Sequence, residues 1–264
     1  MYTILDKTMI GYISDQSENG YYEQAERIIS IGKSLAATLP AVIAPRTSYL
    51  FAKNEHIEIK KIVDFSIEFT LFVTIPITIG IVAIANKLIP WYLGKGFEKS
   101  ITLLYILAPM IVIVGLSGCI GLTYLTPSGQ RARSSKAIIL GAAINFSLNL
   151  FLIPMYYSVG AAIASVIAEL IITYLYIYMS KPIITFLDIL KMSYKKWLSA
   201  GIMFVTISCP VFQEMRANWK TSLMQILCGA IMYISFEVIF KDDGVTRITN
   251  YIRSYLYKAQ NGRN

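Results

Sequence analysis

Seven stretches of this chain are apolar enough to cross a lipid bilayer, and only short polar segments separate them. By hydropathy they cover residues 23–49, 62–89, 101–125, 137–154, 158–179, 197–212 and 223–240. A helix needs about 20 predominantly apolar residues to span the hydrocarbon core, and no irregular backbone can face lipid. The pattern therefore predicts an all-α fold, a polytopic membrane helix bundle of about seven full spans. A partial span precedes them. Residues 1–14 read as the end of a spanning helix, because only a few apolar residues come before Asp6. Residues 15–22, which lack Lys and Arg, read as the turn that follows. The spans 137–154 and 197–212 are short, so tilt or local thinning of the bilayer is expected there. Pro40, Pro76 and Pro109 fall inside spans and are expected to kink them where neighbours satisfy the freed carbonyls.

Composition supports this and excludes several functions. Charged residues make up 15% of the 264, against about 25% in soluble domains. The net charge of +8 does not indicate nucleic-acid binding, because the basic residues lie in short segments between spans. Cys119, Cys209 and Cys228 sit in apolar runs with neither metal-ligand nor disulfide spacing, and His56 is the sole histidine. No metal, cofactor or enzymatic reaction is expected. Asp6 and Lys7 interrupt the opening residues, which do not read as a cleavable signal.

The basic residues alternate by side. Arg46, Lys53, Lys60, Lys61, Arg131, Arg133, Lys136, Lys181, Lys191, Lys195, Lys196, Lys241, Arg247, Arg253, Lys258 and Arg263 fall on one side of the spans. Lys87, Lys95, Lys99, Arg216 and Lys220 fall on the other. The positive-inside rule makes the richer side cytoplasmic. The C-terminus, a basic tail over 241–264, is then expected in the cytoplasm and the turn at 15–22 outside.

A few polar residues lie where lipid would penalise them. Lys33 is about ten residues into its span and so near the midplane, where a Lys costs on the order of 3 kcal/mol unless it meets water or a partner. Arg27, Ser30, Ser34 and Thr38 form a stripe at helical spacing beside it, within reach of Glu26. Two cations on such a stripe suit the wall of a water-filled cavity for an anion. Alternatively, Arg27 snorkels or pairs with Glu23, and Lys33 forms an ion pair. Glu169 lies halfway along its span and could bind a proton or coupling ion, pair with a cation, or make a structural hydrogen bond. Asp64, Glu68 and Glu237 sit near cytoplasmic span ends, where interfacial solvation would suffice. The stretch Gly141–Glu169 reads as two helices split by Pro154 and Gly160. In it Gly141, Asn145, Asn149 and Gly160 present small and amide groups for helix packing.

The order of several short motifs resembles the Wzx/RfbX-like polysaccharide flippases, in the multidrug/oligosaccharidyl-lipid/polysaccharide exporter superfamily. They are Leu5-Asp6-Lys7 with Ile10-Gly11, Gly20-Tyr21-Tyr22, Pro45-Arg46, Ile75-Pro76-Ile77 with Gly80, and Gly96-Phe97-Glu98-Lys99-Ser100. The Asn145/Asn149 pair, Ile153-Pro154 and Gly160-Ala161-Ala162 continue the match, and from residue 197 only hydropathy agrees. The resemblance implies two six-helix lobes around a central cavity, usually with two further helices. On that plan residues 1–196 are a C-terminal lobe with a truncated first helix, 197–240 the two additional helices, and 241–264 the tail.

The resemblance also implies a cargo, undecaprenyl-pyrophosphate-linked oligosaccharide, carried from the cytoplasmic to the outer leaflet of the bacterial inner membrane. Lys33, Arg27 and Lys7 would then offer cations to the pyrophosphate. Asp6 would hold Lys7 when the site is empty, and Glu169 could drive reopening with a proton or Na⁺. One lobe supplies only half a cavity, so the chain is not expected to transport alone. A separately encoded N-terminal half and other polysaccharide assembly proteins would be its partners. The rival readings are another exporter of the superfamily, for drugs or the peptidoglycan lipid precursor, and a non-transporting assembly subunit.

Overall fold

The structure, a computed structural model, describes residues 2–242 and 244. All regular structure among them is helical. The helices are α1 (Tyr2–Ile13), α2 (Gln16–Ala52), α3 (His56–Tyr92), α4 (Glu98–Leu107) and α5 (Met110–Ile120), which runs on as a π turn over Gly121–Leu125. Then come α6 (Arg131–Tyr156), α7 (Ser158–Met179), α8 (Phe186–Ile207), the short α9 (Pro210–Glu214) and α10 (Trp219–Ile239). Among the described residues, six helices are long and apolar enough to cross a membrane: α2, α3, the joined α4–α5 unit, α6, α7 and α10. The chain is a multi-pass membrane protein.

The structure corrects several boundaries. The span expected at 197–212 is α8, which starts at Phe186 and is long enough at 22 residues. Asp188, Lys191, Lys195 and Lys196 charge its first half and remove it from the apolar set. The boundary drawn at residue 197 therefore falls inside a helix. The span at 137–154 is not short, because α6 has 26 residues, about 39 Å at 1.5 Å each. The turn read at 15–22 shrinks to Ser14 and Asp15. Asp15 caps α2 by accepting from the Gln16 N–H, and Glu18 stands in the first turn, where a carboxylate favours the helix dipole. Neither Pro154 nor Gly160 separates α6 from α7. The break is at Tyr157, whose φ is +54°. The tail read over 241–264 lies, apart from residues 241, 242 and 244, outside the described residues.

The prolines act as proline chemistry requires. Pro109 separates α4 from α5, whereas α2 continues through Pro40 and Pro45 and α3 through Pro76 and Pro90. Pro76 has no N–H for the Phe72 carbonyl. The Tyr233 hydroxyl of α10 donates to that carbonyl instead, at 3.1 Å. Small residues set the close approaches. A methyl group at Gly115 would lie 3.0 to 3.3 Å from Thr74, Ala36 and Thr70, where α5 meets α2 and α3. Ser66, Thr70, Thr74 and Thr78 each donate to the carbonyl one turn back, so α3 carries four hydroxyls into the interior without orphaned donors. On α6, Ile139, Phe146, Leu150 and Phe151 face outward, as a lipid-facing surface requires.

The contacts define the two ends of the bundle. At one end Lys99 and Ser158 both bind the Glu18 carboxylate, joining α2, α4 and α7. Lys87 donates to the carbonyls of Gln213 and Met215, and Trp91 donates to Ser222. At the other end Lys60 donates to the Ile183 carbonyl, and Lys196 binds Asp242. The basic segments gather at this second end.

Candidate functional site

The residues singled out in the sequence fall into three groups. The first surrounds Asp6 on α1, which is completely buried. Tyr22 of α2 donates to Asp6 Oδ2 at 2.9 Å, Ser165 of α7 to the same oxygen at 2.6 Å, and Asn149 of α6 to Oδ1 at 2.7 Å. Asn149 also donates to Asn145 Oδ1 at 3.2 Å, and Asn145 donates to Ser165 Oγ at 3.1 Å. Four helices thus meet at one carboxylate. The Asn149 Oδ1 oxygen is buried without a donor. An orphaned acceptor beside a carboxylate, two hydroxyls and a second amide is the donor set of a hard cation or a shared proton. Among the described residues there is no group of three or more His, Cys, Asp or Glu side chains that could hold a metal, so any ion here would rest on one carboxylate and neutral oxygens.

Helix packing creates this cluster. Gly160 lets α7 lie against α6, since a Cβ there would stand 2.2 Å from the Leu152 carbonyl oxygen. Gly141, Asn145 and Asn149 are all buried on α6, each one turn apart. The two Asn residues therefore do more than pack, for they hold Asp6. The spacing of four was legible in the sequence. The convergence on Asp6 was not, because it joins residues more than 140 positions apart.

The second group lies along α2. Arg27 is exposed and enters none of the ion pairs found among the described residues. Lys33 pairs with Glu26 at 2.5 Å, both largely buried. Lys7 pairs with Glu23 at 3.3 Å. Two expectations are corrected here. Asp6 does not hold Lys7, because its oxygens are taken by Tyr22, Asn149 and Ser165. Nor does Glu23 serve Arg27. The hydroxyls of Ser30, Ser34 and Thr38 donate to the backbone of their own helix, leaving their lone pairs for water. The face carries one open cation, Arg27; Glu26 holds Lys33 beside it, and Glu23 holds Lys7 from α1.

The third group is a cleft of about 550 Å³ between α5, α6 and α7, with Glu169 and Tyr176 beside Ser117, Gly121 and Arg131. Glu169 is partly buried, and Lys33 is close enough to act on it electrostatically. Two acidic residues assigned to interfacial solvation are in fact enclosed. Glu68 is 5% exposed and Glu237 is fully buried, because α8 and α10 pack over that face of α3. Lys196, counted with a loop, is also buried, within α8.

Comparison with known proteins agrees with this architecture. Residues 1–102 match the family described as "Polysaccharide biosynthesis protein". The chain is 25% identical over 261 residues to the "Probable low-salt glycan biosynthesis flippase Agl15" of Haloferax volcanii, covering 96% of this chain and 53% of that protein. It is 26% identical over 183 residues to the "Lipid II flippase MurJ" of Thermosipho africanus, covering 67% of this chain and 37% of that one. The fold superposes on a solved lipid II flippase MurJ in its inward closed conformation with a TM-score of 0.75 at 22% identity, over 92% of this chain and 51% of the other. The chain spans about half the length, or less, of the relatives it matches. These matches support the resemblance of the chain to the Wzx-like polysaccharide flippases of the multidrug/oligosaccharidyl-lipid/polysaccharide exporter superfamily.

Proposed function

We propose that this chain forms the C-terminal lobe of a flippase that moves undecaprenyl-pyrophosphate-linked oligosaccharide across the bacterial cytoplasmic membrane, with its basic end in the cytoplasm. The polar face of α2 carries this reading. Hydroxyls and an open guanidinium line that face along half a membrane-length helix, the Lys33 ammonium stands beside it on Glu26, and the Lys7 ammonium of α1 is held to it through Glu23. A pyrophosphate entering hydrocarbon unpaired would face a prohibitive solvation cost, and this face offers it Arg27 first. Lys33 and Lys7 become available when the anion displaces Glu26 and Glu23. An N-terminal lobe, as a separate chain or in the same one, would supply the other wall. Alternating access would then be a rocking of one lobe on the other.

The coupling ion belongs at Asp6. Loading a cation or proton there satisfies the Asn149 oxygen and draws α1, α2, α6 and α7 together, and release loosens them. Glu169, within electrostatic range of Lys33, can relay that change to the cationic face. Other polysaccharide assembly proteins and membrane lipids would be the remaining partners.

The test places this chain in a two-lobe protein and measures surface polysaccharide. Losing the open cation removes a charge-assisted contact worth about 1.5–3 kcal/mol, so Arg27→Ala is expected to lower export by ten- to hundredfold. Lys33→Ala should act in the same direction. Export unchanged by both would overturn the cationic-face reading.

A further inference from the structure

Glu237 lies near the end of α10, away from the cluster around Asp6. It is fully buried, and neither of its carboxyl oxygens has a hydrogen-bond partner among the described residues. Ser199 of α8 lies beside it, and its hydroxyl is likewise buried without a partner at bonding distance. The neighbouring polar groups are engaged elsewhere. Lys196 of α8 donates to both Asp242 oxygens, at 2.8 and 2.9 Å, and to the Met192 carbonyl at 2.8 Å. Lys195 donates to the Lys241 carbonyl, and Tyr233 to that of Phe72. From α3, Glu68, Asp64 and Lys60 line the same polar pocket as Lys196 and Asp242.

That pocket has a volume of about 280 Å³ at the basic end of the bundle. The Asp242 N–H donates to the Glu237 carbonyl at 3.1 Å, so the pocket wall and the buried carboxyl share one stretch of chain. An isolated carboxylate in a dry interior is strongly disfavoured. A hard cation takes six or more oxygen ligands, and one carboxyl with one hydroxyl is too sparse a set.

We propose that Glu237 is a proton-binding site, loaded from the water of this pocket and coupled to the Lys196–Asp242 pair. With the proton on, Glu237 is neutral and Lys196 holds Asp242, fixing the segment that leaves α10. When the carboxyl gives its proton to pocket water, the new carboxylate competes with Asp242 for the Lys196 ammonium. The hold on Asp242 loosens, leaving Lys241 to its bond from Lys195. The site is independent of the cargo and of Asp6.

The test uses the purified chain in lipid nanodiscs with dicyclohexylcarbodiimide, which attacks neutral carboxyls in apolar surroundings, followed by peptide mass spectrometry. A Glu237 adduct is expected at about pH 7, unchanged by about 150 mM sodium chloride, and falling at least about tenfold by about pH 10 as the carboxyl ionises. Lys196→Gln should move that fall to higher pH, because the ionised form loses its cation. The wild-type measurement stands without the variant. An absent adduct at neutral pH, or one indifferent to pH, would overturn the proposal. Protection by sodium would replace the proton with a metal cation and overturn it too.

Discussion

Replacing Gly160 with alanine tests whether the close approach of α6 and α7 builds the cluster around Asp6. The added methyl would stand 2.2 Å from the Leu152 carbonyl oxygen, 2.5 Å from its carbon and 3.1 Å from the Ile153 nitrogen. These are backbone atoms and cannot swing aside. Carbon contacts settle near 3.5–4.0 Å, so the helices must separate by more than about 1 Å. The Asn145–Ser165 bond is 3.1 Å and the Asn149–Asp6 bond 2.7 Å. A shift of that size takes at least the first beyond hydrogen-bonding range. Overpacking costs about 1–3 kcal/mol, and the neutral Asn145–Ser165 hydrogen bond about 0.5–1.5 kcal/mol more. The total is roughly 2–4 kcal/mol, a fall of about 5–15 °C in melting temperature for a domain of this size. Thermal melting in detergent micelles measures it. Gly201→Ala on α8 is the control, since nothing lies within 4 Å of its added methyl. It should be neutral or stabilising by up to about 1 kcal/mol. If both variants melt with the native chain, tight α6–α7 packing does not hold the cluster.

Two further outcomes follow from the basic end. Lys196→Met takes the ammonium from the buried Asp242 carboxylate, which keeps the Gly244 N–H, and should cost up to about 3–5 kcal/mol, whereas combining it with Asp242→Leu should recover most of that loss; melting of the single and double variants measures both. At the start of α8 the Thr185 hydroxyl and N–H donate to the Asp188 carboxylate and hold its pKa below the usual range. A lowered folded pKa stabilises above the unfolded pKa and is lost as pH falls through the folded one. Amide protection in the first turn of α8, taken relative to the intrinsic exchange rate, should therefore fall below about pH 4, and Asp188→Asn should abolish that fall.

The spans were legible because lipid imposes one rule along the whole chain, and the apolar runs at 62–89 and 158–179 lie within or match α3 and α7. What escaped were effects of one helix on another. The charged first half of α8 looked like loop sequence, because Lys191, Lys195 and Lys196 read as solvated. Only the fold shows Lys196 closed over by Asp242. Glu68 and Glu237 looked interfacial for the same reason, until α8 and α10 covered them. In the candidate site, the α2 stripe was visible from spacing alone, since Arg27, Ser30, Ser34 and Thr38 belong to one helix. The ion pairs along it were harder to read. Glu23 goes to Lys7 rather than Arg27, a choice made by the packing of α1 on α2. Asp6 gave the least warning, because its partners come from three other helices.

The most direct test of the flippase reading is translocation in liposomes. Undecaprenyl-pyrophosphate-linked oligosaccharide is placed in one leaflet, and a lectin outside reports its arrival in the other. This chain reconstituted together with an N-terminal lobe should translocate the cargo, this chain alone should not, and Arg27→Ala should slow the paired lobes by ten- to hundredfold. Paired lobes that leave the cargo in place, or a rate indifferent to Arg27, would contradict the account.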